Sequence, residues 1–201
     1  MGSKERTIER RAFPLAELRM EEREGNAPRI VGHAAVFGRR SLPLGESGGD
    51  TVVEEIAPGA FTKTLREADV RALINHDPNL VLGRTKAGTL RLAEDDHGLA
   101  VSIDLPDTQA ARDLVVSMRR GDISQMSFAF VPVRQRWTKE TAGDKTVHVR
   151  LLQEVRLFDV SVVTFPAYEE TDAQLRALQA AEGVPSGVAA VLSATERAAL
   201  W

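Results

Sequence analysis

The 201-residue chain contains no cysteine. That excludes disulfides, thiolate zinc sites and a cysteine nucleophile, and it fits a reducing compartment. Aromatic residues are scarce, at 5% of the chain with a single tyrosine, so aliphatic side chains must supply most of any core. No charge of one sign dominates: Lys plus Arg is 26 against 29 Asp plus Glu, a net charge of -3. Without a basic excess, nucleic acid is not expected as a partner. No apolar run approaches the ~20 residues of a membrane span, and Met1 to Glu24 is charged, without the apolar segment of a signal peptide. The expectation is a soluble, cytosolic protein with no membrane association. What the chain does have is an apolar fraction of 43%, enough for a real core. Its length suits one domain with extensions or two small ones.

Composition and turn signals divide the chain into an N-terminal extension with the first strands (1–29), a central domain (30–182), and a linker with a tail (183–201). Ile8 to Met20 reads as a strand pair bent at Pro14, and Ile30 to Phe37 and Thr51 to Ile56 as strands. Pro58 opens a short helix reaching about Ala68. Val70–Ile74 and Leu80–Arg84 are further strands, and 88–92 with 99–105 form a hairpin across an acidic loop. Asp107 or Thr108 caps a helix to Arg120, whose apolar set Ala111, Leu114, Val115 and Met118 follows the 3.6 period, and Gly121 stops it. A β-prone run then extends toward Trp137, Lys139 to Lys145 is a polar hairpin tip, and Thr146 to Phe165 is one bent strand or two. Ala167 to Ala181 is helix-prone, Gly183 to Gly187 is a linker, and the last residues form a docking peptide or a disordered end. There is no internal repeat, phosphate-binding glycine loop, zinc-protease helix motif or Gly-x-Ser-x-Gly elbow.

Asp95, Asp96 and His97 invite a metal reading, but an acidic hairpin loop ending in glycine is the commoner meaning, and a hard cation needs more oxygen ligands. No metal and no cofactor are expected. His33 reads as a packed strand histidine. Three other polar residues sit at the ends or on the faces of apolar strands: His76, Ser127 and Asp159. In a regular strand Ser127 shares a face with Ala129, Val131 and Val133, while Met126, Phe128 and Phe130 occupy the other. Alternation groups Asp159 with Val155, Leu157, Ser161, Val163 and Phe165. A carboxylate on so apolar a face demands a partner. A histidine whose other nitrogen meets a serine would satisfy it, and serine needs such a base to become a nucleophile. A strand serine bonded only to backbone is the plain alternative for Ser127. Asp77 and Glu154 stay open as other carboxylates: Asp77 adjoins His76 but points away in a strand, and Glu154 faces opposite to Asp159 unless a bulge intervenes.

Pro58-Gly59-Ala60-Phe61, Asn75-His76-Asp77, Leu82-Gly83-Arg84, Arg119 to Phe130 and Asp159 to Tyr168 together resemble the prohead maturation protease family of tailed bacteriophages, over about Ile30 to Arg176. The resemblance implies a mainly β, α+β fold, a small antiparallel β-barrel flanked by helices like that of the herpesvirus assembly proteases. It implies a serine endopeptidase inside the immature capsid in the host cytoplasm, cleaving the scaffold segment of the major capsid protein and its own chain. By matching position it makes Ser127 the nucleophile, His76 the general base and Asp159 the third member, where relatives carry Glu and the herpesvirus enzymes a second histidine. Self-association into a dimer is a further partner it allows. His33 stands where relatives carry an aromatic residue and receives no catalytic role. The alternative on the same fold is a catalytically inactive scaffold or capsid-assembly protein; an unrelated β-barrel binding module has no basic or aromatic-rich signature to support it.

Overall fold

A computed structural model describes residues 8–12, 18–23, 26–47, 50–142 and 145–165. The expected helix over 167–181, the linker, the tail and the first four residues lie outside these. The strands are, in order, β1 (Glu9–Ala12), β2 (Leu18–Arg23), β3 (Asn26–Val36), β4 (Gly45–Ser47) and β5 (Asp50–Ile56). Helix α1 (Thr62–Glu67) then precedes β6 (Arg71–Ile74), β7 (Asp77–Arg84), β8 (Leu90–Glu94) and β9 (Gly98–Asp104). Helix α2 (Gln109–Arg120) leads into two long strands, β10 (Gln125–Ala142) and β11 (Lys145–Val163). The chain is thus mainly β with few helices. Among the described residues no helix is long and apolar enough to cross a membrane.

The β-branched-rich β11 is the spine of the larger sheet. Along one edge β10 pairs with it antiparallel from Gln125↔Val163 to Ala142↔Lys145. Its other edge is shared in succession: β5 pairs with Thr146–Leu152 and β6 with Asp159–Val162, both parallel. Between them the segment around α1 satisfies the edge. Ala57 N donates to Leu152 O at 2.9 Å, Val155 N to Ala60 O at 3.0 Å, and Leu157 N to Thr64 Oγ1 at 2.9 Å, so the backbone there is not left unpaired. β1 lies outside β10, β4 outside β5, and β7 outside β6. A second sheet runs β2, β3, β9, β8.

Three expectations change. Most strand pairs are antiparallel, but the larger sheet is mixed, because β5 and β6 reach β11 through crossover segments and not through hairpins. The first two strands do not pair with each other; β1 joins β10, and β2 joins β3. The polar stretch from Lys139 does lie at the tip of the β10–β11 hairpin, as expected, but it is largely strand and not loop, continuing to Ala142 and resuming at Lys145.

The core between the sheets is aliphatic with a small aromatic centre. Phe61 meets Phe128 edge-on at 5.6 Å, and Phe128 stacks with Phe130 at 5.1 Å. One glycine is demanded by packing: a Cβ on Gly98 would lie 2.0 Å from the carbonyl oxygen of Ala35, beside the β3–β9 bulge. α2 is bounded as its caps require. Thr108 accepts from the Ala111 amide at 3.3 Å, and Gly121, at φ 81, closes the C-terminus with Gly121 N bonded to Met118 O and Asp122 N to Ser117 O. Ala111, Leu114 and Val115 form its buried face.

Candidate active site

β10 begins immediately after α2 and its glycine cap, which sets Ser127 near the start of the strand. Its hydroxyl belongs to the face that β10 and β11 turn away from the core. Ser127 stands directly across the ladder from Ser161, and Ala129 across from Asp159. A bulge lies next to them: Ala129 opposes Asp159 while Phe130 opposes Leu157, so Phe158 is extra. The inserted residue shifts the two-residue period. Val155 and Leu157 before it, and Val160 and Val162 after it, all join the core. Asp159 therefore does not share a face with Val155 and Leu157, as regular alternation predicts; it shares one with Ser161. The carboxylate is still mostly enclosed, its side chain 14% exposed, so its need for a partner stands.

The partner comes from the β6–β7 hairpin. Ile74 pairs with Asp77, which leaves Asn75 and His76 as a two-residue loop, with φ 51 and φ 57. Positive φ at both central positions is the primed turn that suits a twisted hairpin. Asn and His tolerate it better than most residues but not without strain. Bonds to β11 and to Thr164 just after it hold the loop in place. Asn75 N donates to Val162 O at 2.9 Å, Asn75 Oδ1 accepts from Thr164 N at 2.9 Å, and Asn75 Nδ2 donates to Thr164 Oγ1 at 3.2 Å. His76 N donates to Ser161 Oγ at 3.2 Å.

So placed, the imidazole of His76 lies between Asp159 and Ser127, its side chain only 8% exposed. Nδ1 is 2.6 Å from Asp159 Oδ1, and Nε2 is 2.8 Å from Ser127 Oγ. An ionised carboxylate only accepts, so Nδ1 carries the proton and the lone pair of Nε2 faces the serine hydroxyl. Ser161 Oγ donates to the same carboxylate oxygen at 2.7 Å. The arrangement can draw a proton from the Ser127 hydroxyl and hold the resulting imidazolium beside a negative charge.

All three residues picked from the sequence are thus brought together. The other two carboxylates are engaged elsewhere: Asp77 Oδ1 accepts from the Asn79 amide at 2.8 Å, and Glu154 is ion-paired with Lys63 at 3.4 Å. His33 bonds through Nε2 to Asp95 Oδ2 at 2.8 Å, and Asp95 Oδ1 accepts from the His97 and Gly98 amides. The His33 bond first, and these amides with it, hold Asp95 at about 2 despite partial burial. Its carboxylate thus closes a hairpin turn, and among the described residues no group of three His, Asp or Glu could hold a metal ion. Sequence reasoning missed the contributions of Ser161, Asn75 and Thr164. Ser161 had a legible signal, the two-residue spacing from Asp159; Asn75 and Thr164 had none, because their pairing spans 89 positions.

Past Asp159 the sheet borders a groove of about 630 Å³, lined by Val133, Arg156 and Phe158, by Lys63 of α1, by Asp69 and by Arg71 of β6. Arg156 lies over the Phe158 ring at 5.3 Å. Ser127 and His76 do not line it. Ser127 itself has no solvent exposure.

A family model described as "Caudovirus prohead serine protease" matches residues 16–184. Among solved structures, the chain is similar to the bacteriophage T4 capsid assembly protease at 13% identity and a TM-score of 0.47, covering 78% of this chain and 96% of that one. No curated protein matches.

Proposed function

Because the chain belongs to the caudovirus prohead serine protease family, we propose that it is an active serine endopeptidase of capsid assembly, with Ser127 as nucleophile, His76 as general base and Asp159 as the carboxylate that orients the base. The observation that carries this reading is the continuous chain of hydrogen bonds from Ser127 Oγ through His76 to Asp159, 2.8 and 2.6 Å long. Ser127 Oγ attacks the scissile carbonyl carbon as its proton passes to His76 Nε2. Asp159 stabilises the imidazolium, which then protonates the leaving amine. Water, deprotonated by His76, hydrolyses the acyl-serine and restores the hydroxyl.

The substrates under this reading are the scaffold segment of the major capsid protein and the protease's own chain, inside the immature capsid in the host cytoplasm. Kinship with the herpesvirus assembly proteases and self-association into a dimer belong to the same proposal. One observation favours the rival reading of an inactive assembly protein: the complete burial of Ser127. Co-expression with the major capsid protein decides between them. Capsid protein shortened by the native chain and left intact by Ser127→Ala establishes the protease. Intact capsid protein in both cases, in closed shells that contain the chain, establishes the assembly factor.

A further inference from the structure

The groove beside Asp159 lies on the face of the sheet that bears Ser127. Val155, Leu157, Val160 and Val162 of β11 turn into the core, and the extra residue at the bulge lets Phe158 and Asp159 both lie outside it. Arg156 stands across the ladder from Val131, four residues along β10 from Ser127. That separation is about 13 Å at ~3.3 Å per residue of strand. Ser127 is enclosed, whereas Arg156 and Val133 are exposed. A peptide approaching this face therefore meets the groove before the serine.

The charges of the groove are not equally engaged. Lys63 is paired with Glu154 at 3.4 Å. Asp69 is shared by Arg71, at 3.2 Å, and by Arg84 just outside the groove. Arg156 has no carboxylate partner among the described residues; its guanidinium lies over the Phe158 ring at 5.3 Å. Glu67, exposed at the end of α1, also lines the groove, but the second arginine on Asp69 offsets it. The cations Lys63, Arg71, Arg84 and Arg156 thus outnumber the acids Glu67, Asp69 and Glu154 by one. A guanidinium stacked on a ring keeps its edge N–H donors free for a carboxylate, which it binds through two parallel bonds. Val133 and Phe158 offer apolar contact to the side chain that carries that carboxylate.

We propose that this groove is a recognition subsite of the protease. It holds an acidic side chain of the substrate peptide, about three or four residues from the bond cut, the span an extended chain needs between Ser127 and Arg156. Arg156 is the residue that selects the acid, and Phe158 is the platform that holds Arg156 in place. The proposal rests on Ser127 being the nucleophile. It adds which substrate chemistry is selected and where along the peptide.

The full chain is co-expressed with the major capsid protein, and intact mass gives the bond cut. Capsid protein variants then carry Glu or Lys, one at a time, at the third and fourth positions on each side of that bond. At one of these positions the native chain should cleave the Glu form about fivefold faster than the Lys form, the scale of an ion pair gained in place of a like-charge contact. Arg156→Glu should reverse the preference, and Arg156→Gln should remove it. Each ratio is taken within one variant, so a general loss of activity does not mimic the result. An unchanged Glu-to-Lys ratio in both variants at every position overturns the proposal and leaves the protease reading standing. Should Arg156→Glu fail to fold, Arg156→Gln decides by the same criterion. If no form cleaves capsid protein, the protease reading fails, and the native and Arg156→Glu chains are applied to an array of overlapping capsid-protein peptides. A shift from acidic to basic peptides then leaves the groove standing as a peptide site; an unchanged pattern overturns it as well.

Discussion

Ser127 and Ser161 face each other across the β10–β11 ladder, yet their hydroxyls address opposite ends of one imidazole. Ser127 Oγ meets His76 Nε2 at 2.8 Å, while Ser161 Oγ lies 3.2 Å from Nδ1 and donates to Asp159. The first is placed to react and the second to hold the carboxylate and the His76 amide. Ser127→Ala should reduce peptide cleavage by about a millionfold with folding unchanged. Ser161→Ala should cost about tenfold to a hundredfold, the range of one bond to a charged group.

Asp159→Asn keeps the size of the side chain but offers the imidazole no charge and permits the wrong tautomer. Single-turnover cleavage should fall by about 10⁴-fold. A fall of less than tenfold would transfer the orienting role to another group.

The strained loop gives a stability prediction. Asn75→Ala removes both side-chain bonds to Thr164 and places alanine at φ 51. The expected loss is about 2–4 kcal/mol, from left-handed strain and the missing bonds together, measured by urea unfolding. Asn75→Gly should recover the strain component and not the bonds, so it should fall between alanine and native.

The buried charge set of Glu9, Arg11, Glu54 and Arg150 makes stability depend on pH with a definite sign. Burial alone would raise the Glu9 carboxyl, but the hydrogen bonds and charges of Arg150 and then Arg11 outweigh it and hold it below the ordinary 4.5. A carboxyl lowered on folding stabilises above its unfolded value, and the contribution is lost as pH falls through the folded value. Urea midpoints of the native chain and Glu9→Gln should therefore differ most near pH 7 and converge only well below pH 4.5.

Gly98→Ala tests the contact between β3 and β9. Its methyl would sit 2.0 Å from the Ala35 carbonyl oxygen, and backbone must move to admit it. A loss of about 3 kcal/mol or more is expected, visible as a lowered melting temperature.

What the sequence by itself determined is local chemistry. Thr108 and Gly121 bound α2 because capping groups act on backbone amides and carbonyls within a few residues of themselves. The 88–105 region forms a hairpin because its apolar alternation and acidic, glycine-ended loop are adjacent in the chain. His76, Ser127 and Asp159 stood out because a polar residue among apolar neighbours is conspicuous in any register. The tertiary structure decided what depends on the strand opposite. The Phe158 bulge exists only relative to β10, so it alone determined that Asp159 leaves the face of Leu157 and joins Ser161. Asn75 and Thr164, 89 positions apart, and Glu9 and Arg150, 141 apart, meet because β6 and β1 dock where they do. A period read along one chain carries no information about its partner strand, and a single inserted residue reverses every face beyond it. Residue types were therefore legible in advance, whereas the geometry joining them was not.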